Sequence, residues 1–112
     1  VYADPGHLHQ LLANLCQNAF RHAGDDARVI LRARRGASSE VQLDVIDNGP
    51  GIDRETADQI FEPFFTTASS GTGLGLYIAR ELCEVNRARL SYIPLPEGGS
   101  CFRIQFATDH TP

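Results

Sequence analysis

The sequence predicts an α+β fold of two layers, with helices packed on one face of a mixed sheet. Three observations predict it. Apolar residues recur at helical spacing in two segments, one near the start and one in the second half. Four shorter segments are rich in β-branched and aliphatic residues and are bounded by Gly, Pro, Ser and Asp. The order is helix, two strands, loop, helix, two strands, which suits helices layered on a sheet. With 112 residues, one domain spanning 1–112 is expected, large enough to bury a core without disulfides.

The first helix is predicted over residues 5 to 23. Asp4 is a good N-cap and Pro5 a good first helical residue. Leu8, Leu11, Leu12, Leu15 and Ala19 form its apolar stripe, and Gly24 ends it. Strands are predicted over 27 to 35 and 40 to 47, joined by Gly36-Ala37-Ser38-Ser39. Val41, Leu43 and Val45 alternate with polar residues, the mark of a sheet with one buried face. Residues 48 to 73 read as a long loop with a short helix near 54 to 60. A second long helix is predicted over 74 to 86, with Leu76, Ala79, Leu82 and Cys83 toward the core. Strands over 88 to 94 and 100 to 107 follow, joined across Pro96-Glu97-Gly98-Gly99.

Composition narrows the function classes. A net charge of −4 lacks the basic footprint of a nucleic-acid binder. Arg28, Arg32, Arg34 and Arg35 cluster, and read as a solvated strand face. Cys16, Cys83 and Cys101 are far apart and in apolar settings. No Cys or His spacing suits a metal, and they read as small reduced core residues. No segment resembles a signal peptide or a bilayer span. The start, Val-Tyr-Ala-Asp, reads as cut from a longer protein.

Four segments carry possible chemistry. Asn14, Asn18, Arg21 and His22 lie at i, i+4, i+7 and i+8, so they share one stripe beside the apolar one. Asparagine is a poor helix former, and two of them near a core need partners. A Mg²⁺ carried on phosphate is one such partner, with Arg21 for phosphate oxygens; bonds to loop backbone are the other. Asp47-Asn48-Gly49-Pro50-Gly51 follows a strand. It is either a plain turn or a close approach to a ligand, with Asp47 placed to accept from an exocyclic amine. Phe61-Glu62-Pro63-Phe64-Phe65 is either a satellite core under a long loop or the anchor of a lid. Gly71-Thr72-Gly73-Leu74-Gly75-Leu76 opens the second helix, as a flexible linker or as a backbone cradle for phosphate. It lacks the Lys of a Walker loop and the acid of a dinucleotide fingerprint.

Together, in this order and over Asp4 to about Phe106, these segments resemble the N, G1, F and G2 boxes of sensor histidine kinase catalytic domains. That fold, of Bergerat type, is shared with gyrase, mismatch-repair and chaperone ATPases. The resemblance implies ATP and Mg²⁺ as ligands. It implies Asn18 as the Mg²⁺ ligand, Asn14 at the phosphates, Arg21 on phosphate and His22 beside the ribose or adenine. It implies Asp47 on the adenine amine with Gly49, Gly51 and Ile52 alongside. Gly71, Thr72, Gly73, Leu74, Gly75 and Leu76 would cradle phosphate, residues 53 to 72 would form the ATP lid, and Ser100 would lie near adenine. The hydrolysing relatives carry Glu where this chain has Asn14, so the resemblance favours a kinase. A nucleotide-binding module without transfer is the alternative.

The chain departs from the family in three places. Thr66-Thr67-Ala68-Ser69-Ser70 carries no Lys or Arg after the F box, Asn86-Arg87-Ala88 replaces the usual His-Gly-Gly, and no histidine has the acceptor's setting. Residues 79 to 90 with Gly99-Ser100-Cys101-Phe102 resemble most the sensor kinases of type IV pilus systems. The acceptor histidine and dimerisation helices are expected before residue 1, with the first strand of the family's sheet clipped. The expected partners are that dimerisation domain and a response regulator. Neither nucleic acid nor direct membrane contact is expected. The isolated domain should be a monomer of the cytoplasm, belonging to a membrane-anchored homodimeric kinase.

Overall fold

The computed structural model describes residues 3–65 and 74–107, with every side chain among them except that of His22. The first helix, α1, runs Pro5–Ala23. The Asp4 carboxylate accepts from His7 N at 3.0 Å, and this bond holds the carboxyl below its ordinary value. At the other end Gly24, with φ of 80°, returns its N–H to the Phe20 carbonyl.

Strands β1 (Val29–Arg35) and β2 (Val41–Asp47) form an antiparallel hairpin. β1 begins two residues later than predicted because the Asn48 side chain takes over the local bonding. It accepts from Arg28 N at 2.8 Å and donates to the Asp26 carbonyl at 3.0 Å. Helix α2 is short, Arg54–Ala57, capped by Asp53. The chain then tightens into i→i+3 turns at Gln59 and Glu62 that carry Ile60 into the core. Helix α3 (Gly75–Val85) and strands β3 (Ala88–Pro94) and β4 (Ser100–Phe106) complete the order.

The sheet order is β1-β2-β4-β3, and all three pairings are antiparallel among the described residues. The mixed sheet expected from the sequence is thereby corrected. β2 and β3 do run parallel, but the β3–β4 hairpin folds β4 back between them, so the parallel strands are never neighbours. Helices α1 and α3 pack on one face, as predicted. Leu11, Leu15, Ala19, Ala79 and Cys83 meet Val45, Leu90, Phe102, Ile104 and Phe106 there.

Asn86 clamps the two long helices. Its Oδ1 accepts from Asp4 N at 2.8 Å, its Nδ2 donates to the Leu82 carbonyl at 2.7 Å, and that Nδ2 lies 3.2 Å from His7 Nδ1. Arg87 follows with φ of 57°, so the turn keeps a left-handed residue where the family's glycine stands. The thiols are free, and Cys16 is only half-buried. Burial pushes all three upward, Cys83 to about 12 with the Glu84 charge adding. Cys101 is buried, but on the sheet face opposite the helices.

Candidate functional site

Asp47 and its loop close β2, and the described part of the glycine-rich segment opens α3 where α1 meets it. α1 brings its stripe to the N-terminus of α3, where Asn14 Nδ2 donates to the Gly75 carbonyl at 3.3 Å. Asn18, one turn on, has its Nδ2 buried without a hydrogen-bond partner among the described residues. Arg21, the next along, is exposed. The side chain of His22 and all of Gly71, Thr72 and Gly73 lie outside what is described. So does the Thr66–Ser70 run, and with it part of the predicted lid.

Asp47 ends β2 and is 3% exposed. Its Oδ1 accepts from Gly49 N at 2.8 Å, while its Oδ2 is buried with no partner among the described residues. An unsatisfied buried acceptor costs about 1–3 kcal/mol, so a fold that keeps one needs a reason for it. The donor Arg80 Nε is the third buried polar atom without a partner among the described residues, and it lies on α3 with its guanidinium 5.8 Å from the Tyr77 ring centre. Ser100, loosely matched from sequence, pairs directly with Asp47 across the β2–β4 ladder and is equally buried.

The loop after Asp47 is held by residues that local sequence does not reveal. Ile52 N donates to the Tyr92 hydroxyl at 3.0 Å, a contact between positions 40 apart. The Tyr92 ring rests on Phe102 at 5.5 Å, which Phe61 meets edge-on at 6.1 Å. Gly99, with φ of 95°, lies so close that an added Cβ would collide with the Asp47 carbonyl. Gly51, with φ of 82°, faces the Gly99 carbonyl in turn. The β3–β4 hairpin thus holds the G1 loop at two points, Tyr92 and Gly99. The F box splits: Phe61 and Phe65 pack against the main core, whereas Phe64 is 73% exposed with φ of 67°. Phe61 and Phe65 thus join the main core rather than a separate satellite.

α3 opens at Gly75 after Leu74 with no side-chain cap. Leu76 is half-buried against the core, and a Cβ on Gly75 would meet nothing within 4 Å. Packing among the described residues therefore does not require glycine there. Helix N-termini present backbone N–H groups of the kind that bind anions.

Comparison with known proteins gives a consistent picture. The family described as "Histidine kinase-, DNA gyrase B-, and HSP90-like ATPase" matches residues 3–110. The sensor protein kinase PilS of Pseudomonas aeruginosa is 50% identical over 108 residues, covering 93% of this chain and 20% of the relative. The solved catalytic domain of histidine kinase ThkA superposes with a TM-score of 0.82 at 33% identity, covering 95% of this chain and 69% of that one. Full-length ShkA in complex with AMPPNP superposes at 0.81 and 32% identity, covering 98% of this chain and 24% of that one. The chain spans about a fifth of the length of the curated relative.

Proposed function

We propose, from the premise that this chain belongs to the family of histidine kinase-, DNA gyrase B- and HSP90-like ATPases, that it is the ATP-binding catalytic domain of a two-component sensor histidine kinase. It binds Mg-ATP and donates the γ-phosphoryl group to a histidine on a separate dimerisation domain. The observation that carries this reading is the spare oxygen of Asp47. It is a buried acceptor without a partner among the described residues, and the exocyclic amine of adenine is a donor of the right kind. Gly49, Gly51, Ile52 and Ser100 then line the base.

At the other end, the orphaned Asn18 amide supports a phosphate site. Its Nδ2 suits a phosphate oxygen and its Oδ1 suits Mg²⁺, which takes oxygen ligands. No group of three His, Cys, Asp or Glu side chains among the described residues could hold a metal. Asn18 would hold a Mg²⁺ carried on the nucleotide, and the ion would supply charge neutralisation there. Arg21 adds charge, His22 flanks the sugar or base, and residues Gly71 to Leu76 cradle the phosphates at the N-terminus of α3.

Asn14 favours a kinase over a hydrolase. Its Nδ2 is engaged by Gly75, and an amide cannot accept a proton from water as a carboxylate would. A neutral imidazole needs no such base, because one ring nitrogen already carries a lone pair. That nitrogen bonds to the γ-phosphorus as the bond to the ADP oxygen breaks, and the domain contributes positioning and charge neutralisation. The relatives' names and lengths support further domains in the same full-length protein; the partners we propose are a dimerisation domain there, in a homodimer, and a response regulator downstream. The domain lies in the cytoplasm as part of a membrane-anchored kinase, and among the described residues no helix is long and apolar enough to cross a membrane.

Titration calorimetry should detect Mg²⁺-dependent ATP binding that Asn18→Ala weakens about tenfold or more. Mixing the chain with a helical dimerisation region should then place acid-labile phosphate on histidine. No binding at millimolar nucleotide sinks the reading. Binding without transfer reassigns the chain to a nucleotide-sensing module.

A further inference from the structure

Side chains alternate between the faces of a strand, so the ladder registers sort every residue to one side of the sheet. On the side away from α1 and α3, Ile30, Ile46, Cys101 and Ile93 form one row across all four strands. Arg32, Asp44, Arg103 and Ser91 form the next row, and Arg34, Gln42, Gln105 and Arg89 the one beyond. None of these residues belongs to the core that the helices close. Ile30 is 58% exposed, and Ile46 and Ile93 are partly so.

The charges on this face run against those of the chain. Four guanidinium groups face two carboxylates, Asp44 and the neighbouring Glu40, on a protein of net charge −4. Three of the four, Arg32, Arg34 and Arg103, are also held in place. Arg32 donates to Asp44 at 2.8 Å, Arg103 donates twice, at 2.9 and 3.2 Å, and Arg34 Nε donates to Gln42 at 3.0 Å. A guanidinium has five N–H donors, so each keeps most of them for another partner. An aliphatic row bordered by fixed arginines is the pattern of a protein interface, an apolar strip with an arginine rim.

We propose that this helix-free face docks an acidic, amphipathic helix of a protein partner. Four strands span roughly 15 Å, about the length of ten helical residues. Such a helix would lay its apolar side on the isoleucine row and present carboxylates, one turn apart, to the arginines. Planar, pre-oriented guanidinium groups match carboxylates in paired hydrogen bonds. Membrane docking draws instead on aromatic anchors and free basic stems, and these three rows contain no aromatic residue.

The test uses the isotope-labelled chain and a synthetic 14-residue helical peptide with Leu on one side and Glu flanking it. Saturable shifts should centre on the methyls of Ile30, Ile46 and Ile93. Affinity should fall about tenfold in the double variant Arg34→Glu/Arg89→Glu, and again in the same peptide carrying Gln for Glu. Both arginines lie on the open face, so nucleotide binding should be unchanged in that variant and reports separately on the other site. Four results overturn the proposal: no saturable shift at millimolar peptide, equal binding of the Gln peptide, binding to phosphatidylglycerol vesicles without peptide binding, or self-association through this face.

Discussion

Asp44 and Asp47 stand three residues apart on β2, on opposite faces of the sheet, and both are almost wholly buried, at 1% and 3% exposure. Their partners differ. Burial pushes the Asp44 carboxyl up, but hydrogen bonds from Arg103 and Arg32, with their charges, outweigh it and hold the group below the ordinary value of 3.8. Asp47 has one oxygen bonded to its own loop and the other to nothing among the described residues. Two buried carboxylates on one strand thus do opposite work. The satisfied one ties three strands together, and the unsatisfied one is the group we propose for a ligand. Burial alone does not separate structure from function; the count of partners does.

The comparison breaks if the two residues respond alike to substitution. Asp44→Ala should cost about 2–4 kcal/mol of stability, read from a denaturant midpoint, because it leaves two guanidinium groups without their acceptor. Arg32 is half-exposed at 48% and can rehydrate, which keeps the loss below that of a fully buried pair. Nucleotide affinity should barely change. Asp47→Asn should do the reverse, lowering ATP affinity about 10–100-fold while stability stays within about 1 kcal/mol. Unfolding of Asp47→Asn together with unchanged affinity in its folded fraction would remove the ligand role.

Acid titration sharpens the same contrast. A carboxyl whose folded value lies below 3.8 contributes stability that is fully present above that value and is lost as pH falls through the folded one. Wild type should therefore lose stability more steeply than Asp44→Asn at the acid end, below about pH 4. Equal slopes would mean that the two arginines do not hold the group. The smallest effect belongs to Tyr92→Phe, which deletes the hydroxyl that accepts from Ile52 N and keeps the ring on Phe102. ATP affinity should fall about fivefold, roughly the worth of one hydrogen bond, with the rate at saturating ATP unchanged. An unchanged affinity would leave the G1 loop positioned by its glycines alone.

Local signals made much of this legible. Asp4, Pro5 and Gly24 delimit α1 as expected because capping and turn geometry depend on neighbours in sequence. The alternation of Val41, Leu43 and Val45 marked the helix-facing side of β2. It also suggested that the polar alternates face water, yet Gln42 and Asp44 are buried. Long arginine and glutamine side chains from β1 and β4 cover them, and which strands flank β2 is not written in β2. Asn86 was visible only as a departure from the family, not as the bridge between Asp4 and α3.

The sequence by itself determined the order of elements, both ends of α1, the four boxes and the kinase-like Asn14, since each is set by short-range periodicity or by residue chemistry at fixed spacing. Tertiary structure alone decided the antiparallel sheet, the pairing of Asp47 with Ser100, the hold of Tyr92 on Ile52 and the arginine rows around Asp44. Each joins residues far apart in the chain, and the choice among such partners follows from how the strands are ordered, which no single segment encodes.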